Sequence, residues 1–329
     1  MDADELLRRY AAGERDFSEV NLSGANLEKA NLGGINLSRA YLATANLSRA
    51  NLKGANLSGA SLYRADMSFA KVSEARLTEA DLTKANLKGA YLVKSLLIGA
   101  KLSGAILTGV NLSLANLCGV NLCGADLRGI NLRSANLVKA NLSWANLSGA
   151  RLSGALLRGA LLNGVQLNRA YLNGVDLNRA DLDGVNLSES KLSGANLSGA
   201  NLTATNLSSA QLRVTLMSRS NLHAANLNGA SLSKADLCEA NLSKADLSES
   251  NLSEADLTGA NLNMASLRDA DLSEASLRGA FLWGANLSVA GLRGADLSGA
   301  SMRGAYLNGT DWQEATLTGA IMPDGTIHE

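Results

Sequence analysis

A five-residue period constrains this chain more than any other feature. From Asp16 onward the sequence runs in words such as NLSGA NLEKA NLGGI NLSRA (residues 21–40), and the second letter is Leu almost throughout, as far as residue 322. Only Phe17, Met67, Val72, Met217, Met302, Trp312 and Met322 replace it, and no insertion or deletion shifts the register. Three residues after each of these positions stands a small residue, usually Ala, with Ile35, Ser95, Val110, Thr205 and Gly325 among the exceptions. The letter before Leu is mostly Asn or Asp. A fixed short period of this kind decides the fold class before any other signal does.

Neither standard element accepts that period. Five steps around an α-helix turn through about 500°, so the Leu side chains would spiral around it instead of lining one face. A strand would throw successive Leu to opposite sides. The pattern works if the chain turns a corner once per word. Leu and the small residue then point inward, and the other three letters face water. Gly favours the fourth letter. A type II turn needs a positive φ there, with Leu opening the turn and the small residue closing it. Asn before Leu is expected to bond backbone groups of neighbouring coils.

The order small residue, Asn or Asp, Leu, two variable residues resembles the pentapeptide-repeat family from Phe17 to Met322. The ends, ELLRRYAAGERDFSEVNLSGANL and MPDGTIHE, resemble those of long cyanobacterial members. The resemblance implies an all-β fold, a right-handed quadrilateral β-helix with four words per coil. At this length it implies about 15 coils and a solenoid of roughly 75 Å. Three regions are expected: an N-terminal helical cap over 1–15, the β-helix over 16–322 and a C-terminal tail over 323–329. The cap contains a helix over 3–12, started by Asp2 or Asp4 and ended near Gly13, with Leu6, Leu7, Tyr10 and Ala11 covering the first coil. Pro323, the only Pro, is expected to stop the stack because it lacks the N–H of a further ladder.

Basic and acidic residues balance at 30 each, and 4% of residues are aromatic. No apolar leader or long apolar run is present in the sequence, so a cytoplasmic protein without a membrane span is expected. Three Cys suit a reducing compartment. Cys118 and Cys123 are read as free thiols. No set of residues has catalytic, cofactor or metal spacing. His223 faces out, stacked between Thr203 and Ser243, and Asp181 and Asp183 project from a wall without a cleft. The reading is therefore a protein without enzymatic activity or cofactor.

Function must then lie on the surface. Between residues 81 and 180 eleven Lys and Arg face only Asp81, Asp126 and Asp176, whereas residues 221–280 are predominantly acidic. Outward letters hold apolar residues that a repeat has no need of. The candidate protein-contact residues are Tyr91, Val93, Leu96, Ile98 and Leu114, with Ile106 nearby, and a second group of Phe281 and Trp283 beside Met264. The expectation is a non-catalytic scaffold or regulatory module with a protein partner. The alternative is a mimic of DNA that inhibits or protects DNA gyrase, an activity the resemblance brings with it. Mimicry needs an acidic surface, and the middle of this chain is basic. The positive charges are too dispersed for nucleic-acid binding to be expected. Residues 201–220, which have no Gly corner and carry Thr205, Thr215 and Ser220 in Ala slots, should form the weakest coil. The Leu register itself is open to test. Leu152→Asp places an unpaired charge in the core, and the cooperative unfolding transition followed by circular dichroism should be lost.

Overall fold

A computed structural model describes residues 1–329, and the chain forms two compact units, Met1–Gln166 and Leu167–Glu329. In each unit the first letters of words pair through parallel bridges with the residue twenty positions on: Asn31 with Asn51, Asn51 with Lys71, Lys71 with Tyr91, and likewise Asn261 with Phe281. Four words therefore complete one coil, and words twenty residues apart stack into walls. Each strand is a single bridged residue, because the chain has only one extended position between successive corners.

Every word distributes its backbone groups in the same way. The Leu22 N–H donates to the Tyr41 carbonyl of the next coil at 2.7 Å, and the Gly24 N–H donates to the Ala43 carbonyl at 2.9 Å. The Tyr41 N–H donates back to the Val20 carbonyl at 2.9 Å. Within the word, the Ala25 N–H donates to the Leu22 carbonyl at 3.0 Å and closes the corner. Only the third-letter N–H stays outside this backbone network. Where the first letter is Asn or Asp it donates to that side chain, as Ser23 does to Asn21 Oδ1 at 3.1 Å. This local bond corrects the expected role of Asn, which does not reach the backbone of a neighbouring coil. Its amide instead donates to the side chain one coil back, as Asn56 does to Asn36 Oδ1 at 3.1 Å and Asn36 does to Asp16 Oδ1 at 2.8 Å. Its carbonyl is held by its own word because the Asn-turn geometry is closer at hand.

The core follows the register. The second letter is buried in every word from Phe17 to Met302. Leu307, Trp312, Leu317 and Met322 are only half-buried, because no further coil covers them. Among the small-residue slots, Val20, Ala25, Ala160, Ala180, Thr310, Ala315 and Gly325 are also half-buried. The hydroxyls in Ala slots are satisfied. Thr205 donates to the Leu182 carbonyl at 2.8 Å, Ser220 to the Met217 carbonyl at 2.7 Å, and Thr215 to the Leu212 carbonyl.

The expected positive φ at the corner is present, and the expectation about the C-terminal end changes. The fourth letter has positive φ whether or not it is Gly: Gly24 has φ 70°, Lys29 58°, Arg39 56° and Val214 52°. The closed turn and the stacked ladder impose that conformation on side chains that would otherwise avoid it. Pro323 does not end the stack for want of an N–H. It is a third letter, the position whose N–H the ladder does not use, and its carbonyl accepts from the Gly304 N–H at 2.9 Å. The stack ends because the chain reverses at Asp324 and Gly325. Ile327 pairs antiparallel with Ile321, and the His328 N–H donates to the Ala320 carbonyl at 2.8 Å.

At the other end, helix α1 spans Ala3–Ala11. Asp2 caps it, accepting from the Glu5 N–H at 2.8 Å. Leu6 is its fully buried residue, Leu7 and Tyr10 are half-buried, and Ala11 is exposed, so the covering face is narrower than expected. Tyr10 fixes the helix by donating its hydroxyl to the Gly33 carbonyl at 2.7 Å.

Two outcomes follow. Val214 is a β-branched residue at positive φ and is 44% exposed. Val214→Asn should relieve this strain, since Asn tolerates the left-handed region. The stability of the chain should rise by about 1 kcal/mol, seen as a higher urea midpoint with an unchanged slope. The second outcome concerns Asp296, whose carboxylate is held below its ordinary pKa by hydrogen bonds from the hydroxyl and N–H of Ser298, with Arg278 adding to the effect. Its contribution is fully present above about pH 4 and fades as pH falls through the lowered folded value. Asp296→Asn keeps the acceptor oxygen and should lose less stability between neutral and acidic pH than the parent, in parallel urea titrations.

Candidate interaction surface

Stacking places each outward side chain beside the residues twenty positions away, and that decides which exposed groups meet. In the first unit, words 51–55, 71–75, 91–95, 111–115, 131–135 and 151–155 form one wall through the bridges Asn51–Lys71–Tyr91–Asn111–Asn131–Arg151. Tyr91 and Leu114 stand on it, 55% and 54% exposed, and Val93 between them is half-buried. Leu96 and Ile98 belong to the next wall, where Leu96 is half-buried under its bridges to Arg76 and Asn116, and Ile98 is exposed. Ile106 lies on a third wall, bridged to Asn86 and Asp126. The first candidate group is thus divided by corners, and Tyr91, Val93 and Leu114 are the part that shares one surface.

That wall carries charge of nearly one sign. Its cations are Lys53, Lys71, Lys94, Arg133 and Arg151, and its one acid is Glu74. Glu74 is already engaged by Lys53 at 3.7 Å. Beside Tyr91 lies a shallow groove of about 380 Å³ lined by Asn51, Lys53, Lys71, Ser73 and Tyr91. Lys53 and Lys71 were not singled out by the sequence reading. The signal was present, since Lys71 is twenty residues before Tyr91.

In the second unit Phe281 and Trp283 occupy one word, exposed by 53% and 55%. Phe281 is bridged to Asn261 and Ser301, and the Trp283 N–H donates to Asn263 Oδ1 at 2.9 Å. Met264 lies at the corner below. Its sulfur occupies the space a Cβ on Gly284 would need, at 2.9 Å from that position. The same device seats Phe69, whose ring lies 2.7 Å from the Cβ position of Gly89, and Trp144, whose ring lies against Gly164. At these three corners the large fourth-letter side chain is accommodated because the residue one coil on has no Cβ to oppose it. The Gly twenty residues later is the sequence signal for such a seat.

The titratable residues singled out earlier hold scaffold contacts. His223 Nδ1 lies 2.9 Å from Ser243 Oγ. Asp181 accepts from Asn201 Nδ2 at 2.9 Å. Cys118, Cys123 and Cys238 are free thiols. Burial and the carboxylates of Asp256, Glu239 and Asp236 push the Cys238 thiol up, away from the reactive thiolate form. No group of three His, Cys, Asp or Glu residues is placed to hold a metal ion, and no helix is long and apolar enough to cross a membrane.

Comparison with known proteins gives a consistent picture. The family described as "Pentapeptide repeats (8 copies)" matches overlapping stretches that run from residue 16 to residue 324. No curated protein sequence matches significantly. Among solved structures, HetL from the cyanobacterium Nostoc sp. strain PCC 7120, a pentapeptide repeat protein involved in heterocyst differentiation regulation, is 32% identical over 100% of both chains, with a TM-score of 0.18. Rfr23 from the cyanobacterium Cyanothece 51142 is 26% identical, covering 50% of this chain and 94% of its own, with a TM-score of 0.16. QnrB1, a plasmid-mediated fluoroquinolone resistance protein, is 17% identical over 59% of this chain and 92% of its own, with a TM-score of 0.32. The likeness to HetL and Rfr23 rests on shared sequence, not on superposition.

Proposed function

This chain belongs to the pentapeptide-repeat family, and on that premise we propose that it is a non-catalytic scaffold that binds a protein partner in a regulatory role. The right-handed, four-sided coil of the family supplies the rigid support. The observation that carries the reading is the wall of the first unit, where Tyr91 and Leu114 stand exposed among cations that have no use in the repeat. An apolar centre with a charged rim is the anatomy of a contact surface. Likeness to HetL, a protein involved in heterocyst differentiation regulation, supports the regulatory part. Mimicry of DNA at gyrase is the weaker reading, because that surface has the wrong sign along the Tyr91 wall.

The test compares capture from native cell extract by the parent chain and by the Tyr91→Ser, Leu114→Ser double variant. Both side chains are outside the core, so the melting temperature should change little. Proteins enriched by the parent should be lost from the variant. If both chains capture the same set, the contact lies elsewhere, and a Phe281→Ser, Trp283→Ser variant measured alongside identifies the second group as the site. If the parent enriches no protein over a bare matrix, the scaffold reading fails.

A further inference from the structure

The Tyr91 wall has a definite order of groups, and the order constrains what fits it. Proceeding coil by coil, the first letters are Asn51, Lys71, Tyr91, Asn111, Asn131 and Arg151. Lys53 lies two residues on from Asn51, Lys94 lies three residues on from Tyr91, and Arg133 lies two residues on from Asn131. Tyr91 is therefore flanked by cations on both sides along the stack. The groove beside it opens between Tyr91, Lys71 and Lys53. The ladder groups of the wall are already paired, since the Leu92, Lys94 and Leu112 N–H groups donate to the Asn111, Ser113 and Asn131 carbonyls. A ligand cannot add a strand there and must be read by its side chains.

We infer that this wall binds an extended acidic peptide segment of a partner protein, with one aromatic or aliphatic side chain seated in the groove beside Tyr91 and carboxylates on both sides of it. The inference rests on the scaffold reading above and names its partner's chemistry. Coils repeat at about 4.8 Å, so Lys53 to Arg151 spans roughly 24 Å. An extended peptide covers that length with about seven residues at about 3.3 Å each. The wall thus matches a short segment in which acids alternate with an apolar anchor. The unpaired state of Lys71, Lys94, Arg133 and Arg151 leaves them available to such carboxylates, and docked pairs would set orientation and association rate. A nucleic-acid duplex fits less well. It carries a charge about every 1.7 Å, roughly fourteen over this length, against five cations spread over the wall.

The test selects a phage-displayed library of random twelve-residue peptides on the immobilised full chain, in parallel with two surface variants, Lys71→Glu and Tyr91→Ser. Both variants are first checked for an unchanged circular dichroism spectrum and melting temperature. A synthetic copy of the best peptide and a twelve-base-pair DNA oligonucleotide duplex are then titrated by fluorescence anisotropy. The expected result is enrichment of sequences with Asp or Glu on both sides of an aromatic or aliphatic residue. Their affinity should fall at least tenfold on Lys71→Glu and on Tyr91→Ser, and should weaken as salt is raised. Enrichment of basic or neutral peptides, or equal binding to parent and Lys71→Glu, would overturn the inference. Tighter binding of the oligonucleotide than of any selected peptide would overturn it in favour of nucleic acid. Peptides that bind Lys71→Glu and Tyr91→Ser as well as the parent but lose affinity for a Phe281→Ser, Trp283→Ser variant would leave the scaffold reading standing and this assignment wrong. Enrichment of no peptide, together with no captured partner, would sink both.

Discussion

Everything in this chain depends on the hydrogen bonds that tie each word to the word twenty residues on. A five-residue turn closed by one Leu-to-Ala bond is not a stable object alone. It fixes several dihedrals for one internal bond, and its Leu has nothing to pack against. Stacking supplies both missing parts together. The ladder bonds such as Leu22 to Tyr41 set the coil spacing, and that spacing brings successive Leu and Ala into contact. Hydrogen bonding and burial therefore cannot be separated by mutation in the middle of a stack. Only the ends reveal the difference, where Leu307 and Leu317 keep their turns but lose their cover.

The same coupling explains what could and could not be read in the residues. The inward letters were legible because burial at a fixed period leaves a regular trace, and Leu and Ala mark it from Phe17 onward. The turn was legible for the same reason, with Leu opening and Ala closing it. Gly marked the corner rightly, as a preference and not a requirement. Lys29, Arg39 and Val214 adopt positive φ under the constraint of the stack. Propensity lost to tertiary context there. The role of Asn was misassigned because a side-chain acceptor two residues from a free N–H is a local competitor that periodicity does not display. On the surface, Tyr91 and Leu114 were visible as apolar exceptions. Their neighbours Lys53 and Lys71 did not stand out, although the twenty-residue coil places Lys71 beside Tyr91, because a charged residue at an outward letter is what the repeat puts there anyway.

Exposed large side chains also show how a regular backbone absorbs irregular ones. Phe69 and Met264 lie flat over Gly89 and Gly284, at corners where neighbouring coils would otherwise put Cβ against ring or sulfur. A bulky group and its Gly form a unit that extends over two coils. Such units can sit anywhere in a stack without disturbing the ladder, so surface chemistry and framework vary independently. That independence suits the scaffold role proposed above.

Pro323 draws attention to the one backbone nitrogen per word that the ladder never uses. Where the first letter is Asn or Asp the hydrogen on this nitrogen is bonded to that side chain, but in words that begin otherwise, as at Ile321, it has no such acceptor, and there the third position is open to chemistry that would destroy an ordinary sheet. N-alkylated residues, peptoid units or a ring-closed linker could be inserted there by synthesis, each side chain emerging on a regular lattice. The fold thereby offers, at those words, backbone nitrogens as attachment points in addition to the side chains.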